Sequence, residues 1–378
     1  MIAVESAEHE QLRSAVRKVI EREAPLSRSV VQAELPAGYD PALWRRLAGE
    51  LGVVGLAVPE RFGGGGAGVF EDAIVAAELG AALAASPYLA SIALAANLLV
   101  ASGDEAAGER YLPALVAAQR SAAVVVRGCT GALGPSAVPV RASKHGAGWR
   151  LDGTARFVID GHSADLLLVA ARVGDTVRLF AVEGAADGLA RHRMGTMDQL
   201  RPMAQLDFAG VGALPFGADD AWPAIERMLD LATVALAAEQ EAAARTVLEQ
   251  TVAYTAIRVQ FGRSIASFQA VKHRCADTAV SNDRARSALT HALWAADHEP
   301  QRLPAAAAMA ALVCGAAFQH AAAENVQLHG GIGFTWEHPA HRYFRRATAD
   351  ASLLADRRWY EDRLLAGIGV ATPRATPL

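Results

Sequence analysis

The C-terminal half of the chain contains residues that together could hold a ligand carrying phosphate groups and a flat ring. An arginine offers a planar fork of donors for phosphate oxygens, and glycines let a backbone approach a ligand closely. Side-chain amides supply paired donors and acceptors, and phenylalanine rings offer apolar faces. The residues concerned are Arg258, Phe261, Phe268, Gln269, Gln327, Gly330 and Gly331.

Each of these residues taken alone has a commoner structural role. An arginine on a helix is usually a solvated charge, and a glycine pair usually marks a turn. Two phenylalanines at this spacing more often belong to a core. The combination of residue types therefore predicts a binding site, which no single member would do.

The composition is that of a globular protein with a large core. The 378 residues are 52% hydrophobic and 20% charged, which suits two or three packed units. The 36 basic and 40 acidic residues give a formal net charge of −4, which argues against a nucleic-acid footprint or a polybasic membrane patch. The N-terminal segment MIAVESAEHEQL has no apolar run, so we expect no signal peptide and a cytoplasmic protein.

The three cysteines, Cys129, Cys275 and Cys314, are widely spaced and form no CxxC pair. This pattern is not typical of a disulfide framework or a zinc site. We expect three buried thiols in a reducing compartment, and no grouping of His, Asp and Glu indicates another metal site.

The hydrophobic patterns divide the chain into three zones. Residues 1–118 show helical spacing, and residues 119–217 contain short β-rich runs broken by Gly, Asp and Ser. Residues 218–378 are helical again, with long patterns at 222–260, 266–298, 303–329 and 338–368. This order predicts a multi-domain α+β fold with an N-terminal helical domain, a middle antiparallel β-domain and a C-terminal four-helix bundle.

Three stretches resemble the acyl-CoA dehydrogenase family. The first is YTAIRVQFGRSIASFQAVKH from Tyr254, the second is QLHGGIGFTWE from Gln327, and the third is LAVPERFGG from Leu56. The resemblance covers nearly the whole chain and implies the same α–β–α fold. It also implies FAD as cofactor, an acyl-CoA substrate, an electron-transfer flavoprotein as electron acceptor and a homotetramer built as a pair of dimers.

The resemblance assigns roles to particular positions. In the family, several of the residues that contact a flavin reach the flavin of a neighbouring subunit. Phe157 and Ile159 replace a family Trp and Thr beside the flavin, Asp356 stands where a family Thr touches the ring, and His329 is interpreted as structural or flavin-adjacent. The matching flavin contacts are Arg258, Phe261, Ile265, Phe268, Gln269, Gln327, Gly330 and Gly331.

The carboxylate that removes the substrate α-proton in the family is missing from both positions where the resemblance places it. One position falls on Leu354, and the other, 22 residues before Tyr254, falls on Ala232. Neither side chain can accept a proton. Three nearby acids could be substitutes, with Asp356 the best local candidate; they are Asp230, Glu239 and Asp356.

Three functions remain open at this point. The chain is an active FAD-dependent acyl-CoA dehydrogenase with an unusual base, or it is a non-catalytic subunit of a hetero-oligomeric dehydrogenase that completes a flavin site. The bacterial branch with paired subunits, which acts on bulky acyl-CoAs, motivates the second hypothesis. The third is a relative of the same fold that binds a ligand or partner without redox chemistry.

Overall fold

The structure is a computed structural model that describes residues 6–128 and 132–370. The expectation for Cys129 lies outside the described residues. Cys314 is buried and Cys275 is partly buried, and both are free thiols. Cys314 therefore fits the expected role, whereas Cys275 is less enclosed than predicted.

The N-terminal part is helical, as predicted. Its elements are α1 (Ala7–Glu23), α2 (Leu26–Ala33), α3 (Pro41–Gly49), α4 (Val69–Ala81), a π-helix (Leu89–Ala96), α5 (Asn97–Ala101) and α6 (Glu105–Val116). The Asp40 carboxylate accepts a hydrogen bond from the Ala42 amide at 2.9 Å, and Asp104 caps α6 in the same way. Val16 and Ile20 bury the apolar stripe of α1.

The middle part is a seven-stranded sheet. Its strands are β1 (Ala122–Val125), β2 (Val140–His145), β3 (Gly148–Ile159), β4 (Leu166–Val173), β5 (Thr176–Glu183), β6 (Leu189–Arg193) and β7 (Met203–Phe216). Strands β1 and β2 run parallel to β4, while the other pairings recorded in this sheet are antiparallel. The sheet is thus more mixed than the sequence predicts, because β1 reaches it from the helical domain and aligns with β4.

The C-terminal part is a bundle of long helices, as predicted. It comprises α7 (Trp222–Ile257), α8 (Gln269–His298), α9 (Leu303–His329), α10 (Ala340–Asp350) and α11 (Arg357–Gly367). A short hairpin, β8 (Val259–Gln260) and β9 (Arg263–Ser264), connects α7 to α8. The pattern at 338–368 predicted one helix, but the chain forms two, because Asp356 caps a new start at α11.

Close packing fixes α4 against α7. A Cβ atom added at Gly80 would lie 2.5 Å from the Glu239 Cα atom, so only glycine permits this approach of the two helices. The segment Leu303–Phe334 is long and apolar enough to cross a bilayer by length and composition. Half of its apolar window is buried inside the protein, as in the core helix of a bundle.

A buried charge network joins the sheet to the bundle. The Arg201 guanidinium donates to the Asp350 carboxylate at 2.8 Å and to Glu239, and Arg346 donates to Asp198. All five side chains are at least nine-tenths buried. Because buried charges need partners, this network fixes the loop before β7 against α7 and α10.

Candidate functional site: the bundle tip and the inner cavity

The predicted flavin contacts from Arg258 to Gly331 lie at one end of the bundle, which we call the bundle tip (residues 254–269 and 327–341), whereas Asp356 lies outside it at the start of α11. Helix α7 ends at Ile257 because the Arg258 backbone is extended, with φ −72° and ψ 122°. The Ser264 hydroxyl then donates to the carbonyls of Thr255 and Ala256, both at 2.9 Å, and satisfies the end of the helix. Sequence-distant segments therefore meet at one place.

The end of α9 is tied to the end of α7 by stacked rings. The Tyr254 and His329 ring centroids are 4.1 Å apart, and the Tyr254 hydroxyl donates to the His329 carbonyl at 3.5 Å. Gly330 follows with φ 67°, and a Cβ atom at Gly330 or Gly331 would meet nothing within 4 Å. The two glycines thus present an open stretch of backbone to whatever approaches the tip.

The bundle tip exposes polar donors beside large apolar side chains. Arg258, Gln269 and Gln327 are exposed, while Ile265 and Phe268 are half-buried. Phe261 is 92% exposed and Phe334 is 78% exposed. An exposed apolar patch of this kind marks an interaction surface, because water disfavours contiguous uncovered hydrophobic side chains.

A second group of predicted contacts lies in a small cavity between the sheet and the bundle, which we call the inner cavity. Its volume is only about 30 Å³, room for one or two water molecules and roughly a tenth of a small ligand pocket. No Asp or Glu contributes to its wall in the described part of the chain. The wall consists of Leu94, Val124, Val126, Arg127, Arg156, Phe157, Val158, Ile159, Leu229, Leu353 and Leu354.

Arg127 occupies the wall of the inner cavity as a tethered cation. Its guanidinium donates to the Leu353 carbonyl at 2.6 Å and to the Ser352 carbonyl at 3.0 Å. Burial lowers the pKa of Arg127 from its usual value. The side chain therefore connects the end of β1 to the loop that carries Leu354.

Phe157 and Ile159 both reach the inner cavity, as neighbours of Leu354. The pairing of β3 with β7 shifts register between Ala155 and Val158, and this bulge re-aims the Phe157 side chain. Phe157 has φ 58° and Phe261 at the bundle tip has φ 54°. A left-handed backbone is strained for a bulky residue, and such strain concentrates at functional sites.

The two positions where a base was sought carry no carboxylate and are buried. Leu354 lines the inner cavity with 4% of its surface exposed, and Ala232 is completely buried on α7. Neither residue can titrate. The loop and the helix that would carry a base therefore pack apolar groups instead.

The three substitute acids are all engaged elsewhere. Arg363 donates to both carboxylate oxygens of Asp230, at 2.6 and 2.7 Å. Glu239 pairs with Arg201, and Asp356 is exposed and accepts from the Trp359 amide at 2.8 Å as the cap of α11. Burial raises the pKa of Asp230 to about 6, against the opposing effect of Arg363. Asp356 as the base remains a prediction, and its capping role argues against it.

The bundle tip and the inner cavity cannot meet within one chain. Leu229 at the cavity and Arg258 at the tip flank most of α7, and their separation of 29 positions along the chain corresponds to about 43 Å at roughly 1.5 Å per residue. Residues that the resemblance assigns to one flavin thus lie at opposite ends of a helix. A single ligand could contact both groups only if two chains contributed to its site.

The residues of the bundle tip fit a flavin dinucleotide, whereas the inner cavity does not. The tip combines an exposed guanidinium, exposed amides and open glycine backbone, which match a pyrophosphate and a polar ring edge. The inner cavity is too small for an isoalloxazine ring, and Arg127 is tethered across it. Among the described residues, no group of three or more His, Cys, Asp or Glu could hold a metal ion.

Two features of the site were not predicted from the sequence. One is Arg127, although an arginine directly after the apolar run SAAVVV is a pattern that could have indicated a site residue at the end of a strand. The other is the network around Arg201, whose members come from three separate parts of the chain. No local pattern identifies such a network.

Comparison with known proteins places this arrangement in a family. Residues 6–119 match the family model of the acyl-CoA dehydrogenase N-terminal domain, and residues 219–353 match that of the C-terminal domain. The chain is 36% identical to acyl-CoA dehydrogenase IpdE2 of Mycobacterium tuberculosis, over 93% of this chain and 94% of the relative.

Two solved structures are similar over almost their whole length. One is a variant of the Tcur3481-Tcur3483 steroid ACAD, with 31% identity, a TM-score of 0.85 and coverage of 96% of this chain and 98% of that chain. The other is the ChsE4-ChsE5 complex from Mycobacterium tuberculosis, with 29% identity, a TM-score of 0.87 and coverage of 99% and 100%. The chain therefore belongs to the acyl-CoA dehydrogenase family of FAD-binding flavoproteins.

Proposed function

We propose that this chain is the non-catalytic subunit of a hetero-oligomeric acyl-CoA dehydrogenase. It presents its bundle tip to the flavin of a homologous partner subunit, and the partner supplies the base and the acyl-CoA pocket. Arg258, Gln269, Gln327 and the Gly330–Gly331 backbone contact the cofactor from this side. The complex oxidises an acyl-CoA thioester at its α,β bond and passes electrons to an electron-transfer flavoprotein, in the cytoplasm.

The inner cavity is the observation that carries this proposal. A catalytic dehydrogenase needs room for a flavin ring and a carboxylate near the substrate α-carbon. This cavity has about 30 Å³ and a wall without Asp or Glu in the described residues. Arg127 further fastens the loop of Leu354 to the sheet. On this proposal the chain supplies one half of a flavin site, and the partner subunit supplies the other.

The relatives support a paired assembly. The two similar structures carry names of two proteins each, Tcur3481-Tcur3483 and ChsE4-ChsE5. One of them is named a steroid ACAD, which favours an acyl group that is bulky and ring-containing. The exposed aromatic side chains of the bundle tip are the surface that such a partner would cover.

The alternative is an active homo-oligomeric dehydrogenase with an unusual base. Asp356 would have to leave its place as the cap of α11, where it accepts from the Trp359 amide, and Arg127 would have to release the Leu353 carbonyl. Both changes cost hydrogen bonds that the described structure makes. This cost makes the alternative the weaker of the two.

Co-expression tests the proposal. We expect the chain purified alone to retain little FAD and to show no bleaching with acyl-CoA thioesters of any chain length. Co-purified with a homologous dehydrogenase subunit that has the family Glu, it should give a yellow complex with one flavin per pair of chains. Bleaching of that flavin by a ring-bearing acyl-CoA should depend on the partner's Glu.

Two variants of this chain separate the hypotheses within the complex. Leu354→Ala should leave the bleaching rate unchanged, because the inner cavity takes no part in the reaction. Asp356→Asn should do the same, since asparagine can also cap a helix. A flavin-saturated homo-oligomer that acyl-CoA bleaches, and that Asp356→Asn inactivates, would refute the proposal and establish the alternative.

A further inference from the structure

Three aromatic rings in the bundle tip join three segments of the chain. His329 at the end of α9 stacks on Tyr254 of α7 with a centroid distance of 4.1 Å and an interplanar angle of 27°. The ring of His338 also contacts His329, with a centroid distance of 4.3 Å and an interplanar angle of 42°. The turn between the two histidines contains Gly330 and Gly331, so the rings hold both ends of the proposed cofactor-binding backbone.

The hydrogen bond of His338 defines its protonation state. Its Nδ1 atom accepts from the Ala340 backbone N–H at 3.2 Å, and Ala340 is the first residue of α10. An accepting Nδ1 carries no proton, so the imidazole is neutral with its proton on Nε2. Protonation would remove this acceptor and place a positive charge at a helix N-terminus, which disfavours cations.

The Nδ1 atom of His329 donates a hydrogen bond, whereas that of His338 accepts one. His329 is buried, and its Nδ1–H donates to the Asn325 carbonyl at 2.8 Å, one turn earlier in α9. It therefore serves as the immobile middle ring of the stack, on which His338 rests. Loss of the His338 contact would leave the Gly330–Gly331 turn held at one end only.

Cations surround the stack. Burial first, and then the neighbouring His329, lower the pKa of His338. Burial also lowers the pKa of His341, with added effects of Arg342, Arg345 and His338. Burial lowers the pKa of His329 against the opposing Asn325 hydrogen bond. The folded tip therefore favours neutral histidines.

The sign of the pH effect follows from these directions. A histidine whose pKa is lower in the folded state binds fewer protons there than in the unfolded state, so its stabilisation is full above about pH 6.5. As the pH falls below that value towards the folded pKa, the stabilisation is lost. The tip should therefore loosen in mild acid.

We propose that His338 is a positioning residue: its neutral imidazole caps α10 and holds the Gly330–Gly331 turn in the form that binds flavin, and protonation of His338 releases the turn. The functional meaning of this device rests on the function proposed above. The structural part, a turn that opens when His338 is protonated, can be measured on the chain itself.

Hydrogen exchange at residues 330–345 between pH 7.5 and 5.5, corrected for the intrinsic pH dependence, tests the structural part. In the wild-type chain we expect protection to fall severalfold, because the folded tip lowers the pKa of His338. His338→Asn keeps a side-chain acceptor near the helix start but does not titrate, so its protection should fall clearly less, by the contributions of His329 and His341 alone. His145→Asn, at an exposed position in the β2–β3 hairpin, should behave as the wild type.

Flavin retention by the co-expressed complex over the same pH range is the second readout. The wild type should lose affinity severalfold in acid, and His338→Asn should lose clearly less. If His338→Asn shows the same pH profile as the wild type and as the control His145→Asn, in exchange and in retention, the positioning role of His338 is refuted while the proposed function stands. If no flavin binds at any pH but the exchange profiles differ as expected, the proposed function fails and the role of His338 stands. Should His338→Asn fail to fold, His338→Gln provides the same non-titrating acceptor.

Discussion

The bundle tip and the inner cavity contain the two groups of residues that the family resemblance assigns to a flavin, and they have opposite physical character. The tip is exposed, cationic and aromatic, with glycine backbone open to solvent. The inner cavity is narrow, and its wall is apolar apart from Arg127 and Arg156. Helix α7 contacts both regions, one towards each end. On the proposed function, the residues that recognise the cofactor are therefore separated along one helix from the region where a catalytic base was sought.

The comparison predicts that substitutions inside the protein change its stability, whereas substitutions at the tip change binding. The largest effect should come from Arg201→Met in the buried network. It removes the cation that is hydrogen-bonded to the buried Glu239 and Asp350 and leaves only Arg346, 3.8 Å from Glu239; breaking a buried pair typically costs about 3–5 kcal/mol. Urea denaturation measures this loss. The control is Arg61→Met in an exposed pair with Glu105, which should cost less than about 1 kcal/mol; equal losses in the two variants would contradict the prediction.

Arg258→Ala should have the next largest effect, on binding alone. Removing a charge-assisted contact to a phosphate typically costs about 1.5–3 kcal/mol, or roughly a tenfold to hundredfold rise in the flavin Kd of the complex. The midpoint of urea denaturation of the isolated chain should not move, because Arg258 is exposed. Fluorescence titration of the apo-complex with FAD provides the measurement, and an unchanged Kd would remove Arg258 from the proposed site.

Two glycine substitutions form a matched pair for the same comparison. Gly80→Ala places a Cβ atom 2.5 Å from the Glu239 Cα atom between α4 and α7, and such overpacking typically costs about 1–3 kcal/mol. Gly331→Ala meets nothing within 4 Å, so the isolated chain should keep its stability while the complex binds flavin more weakly. Thermal unfolding and FAD titration of both variants would show whether the two effects separate.

Asp160→Asn should have an effect whose size depends on pH. Burial raises the pKa of Asp160 to about 7, against the opposing Arg201, Arg193 and Arg346. The folded state therefore binds more protons than the unfolded state between about pH 4 and 7, and this contribution to stability is lost as the pH rises through that window. Asparagine does not titrate and tolerates the left-handed backbone at φ 54°.

The variant should consequently be more stable than the wild type at pH 8, by an amount that grows as the pH rises from about 4 to 7. Near pH 4 the two proteins should be equally stable. Denaturation midpoints measured from pH 4 to 8 provide the comparison. Parallel curves for the two proteins would mean that the three arginines keep Asp160 ionised in the fold.

The sequence predicted the helices and most strands because their signals are local. Val16 and Ile20 recur at helical spacing, and Asp40 and Asp104, which cap helices, are of a residue type favoured at helix starts. The hydrophobic pattern of the sequence did not predict strands β2 and β6, which are short and largely exposed. It also did not predict the break between α10 and α11. The bounds of the three domains stay a prediction. The candidate residues of the tip were recognisable because their types and order are themselves the motif.

The sequence by itself determined the α–β–α order, the family, and the absence of a carboxylate at Leu354 and Ala232, since residue identity and periodicity need no partner in space. Only the tertiary structure decided that Arg127 fastens the Leu354 loop, that Glu239 is neutralised by Arg201, and that the predicted contacts divide between two ends of α7. The physical reason is that burial, pairing of charges and distance along a helix depend on residues far apart in the chain, which only packing brings together.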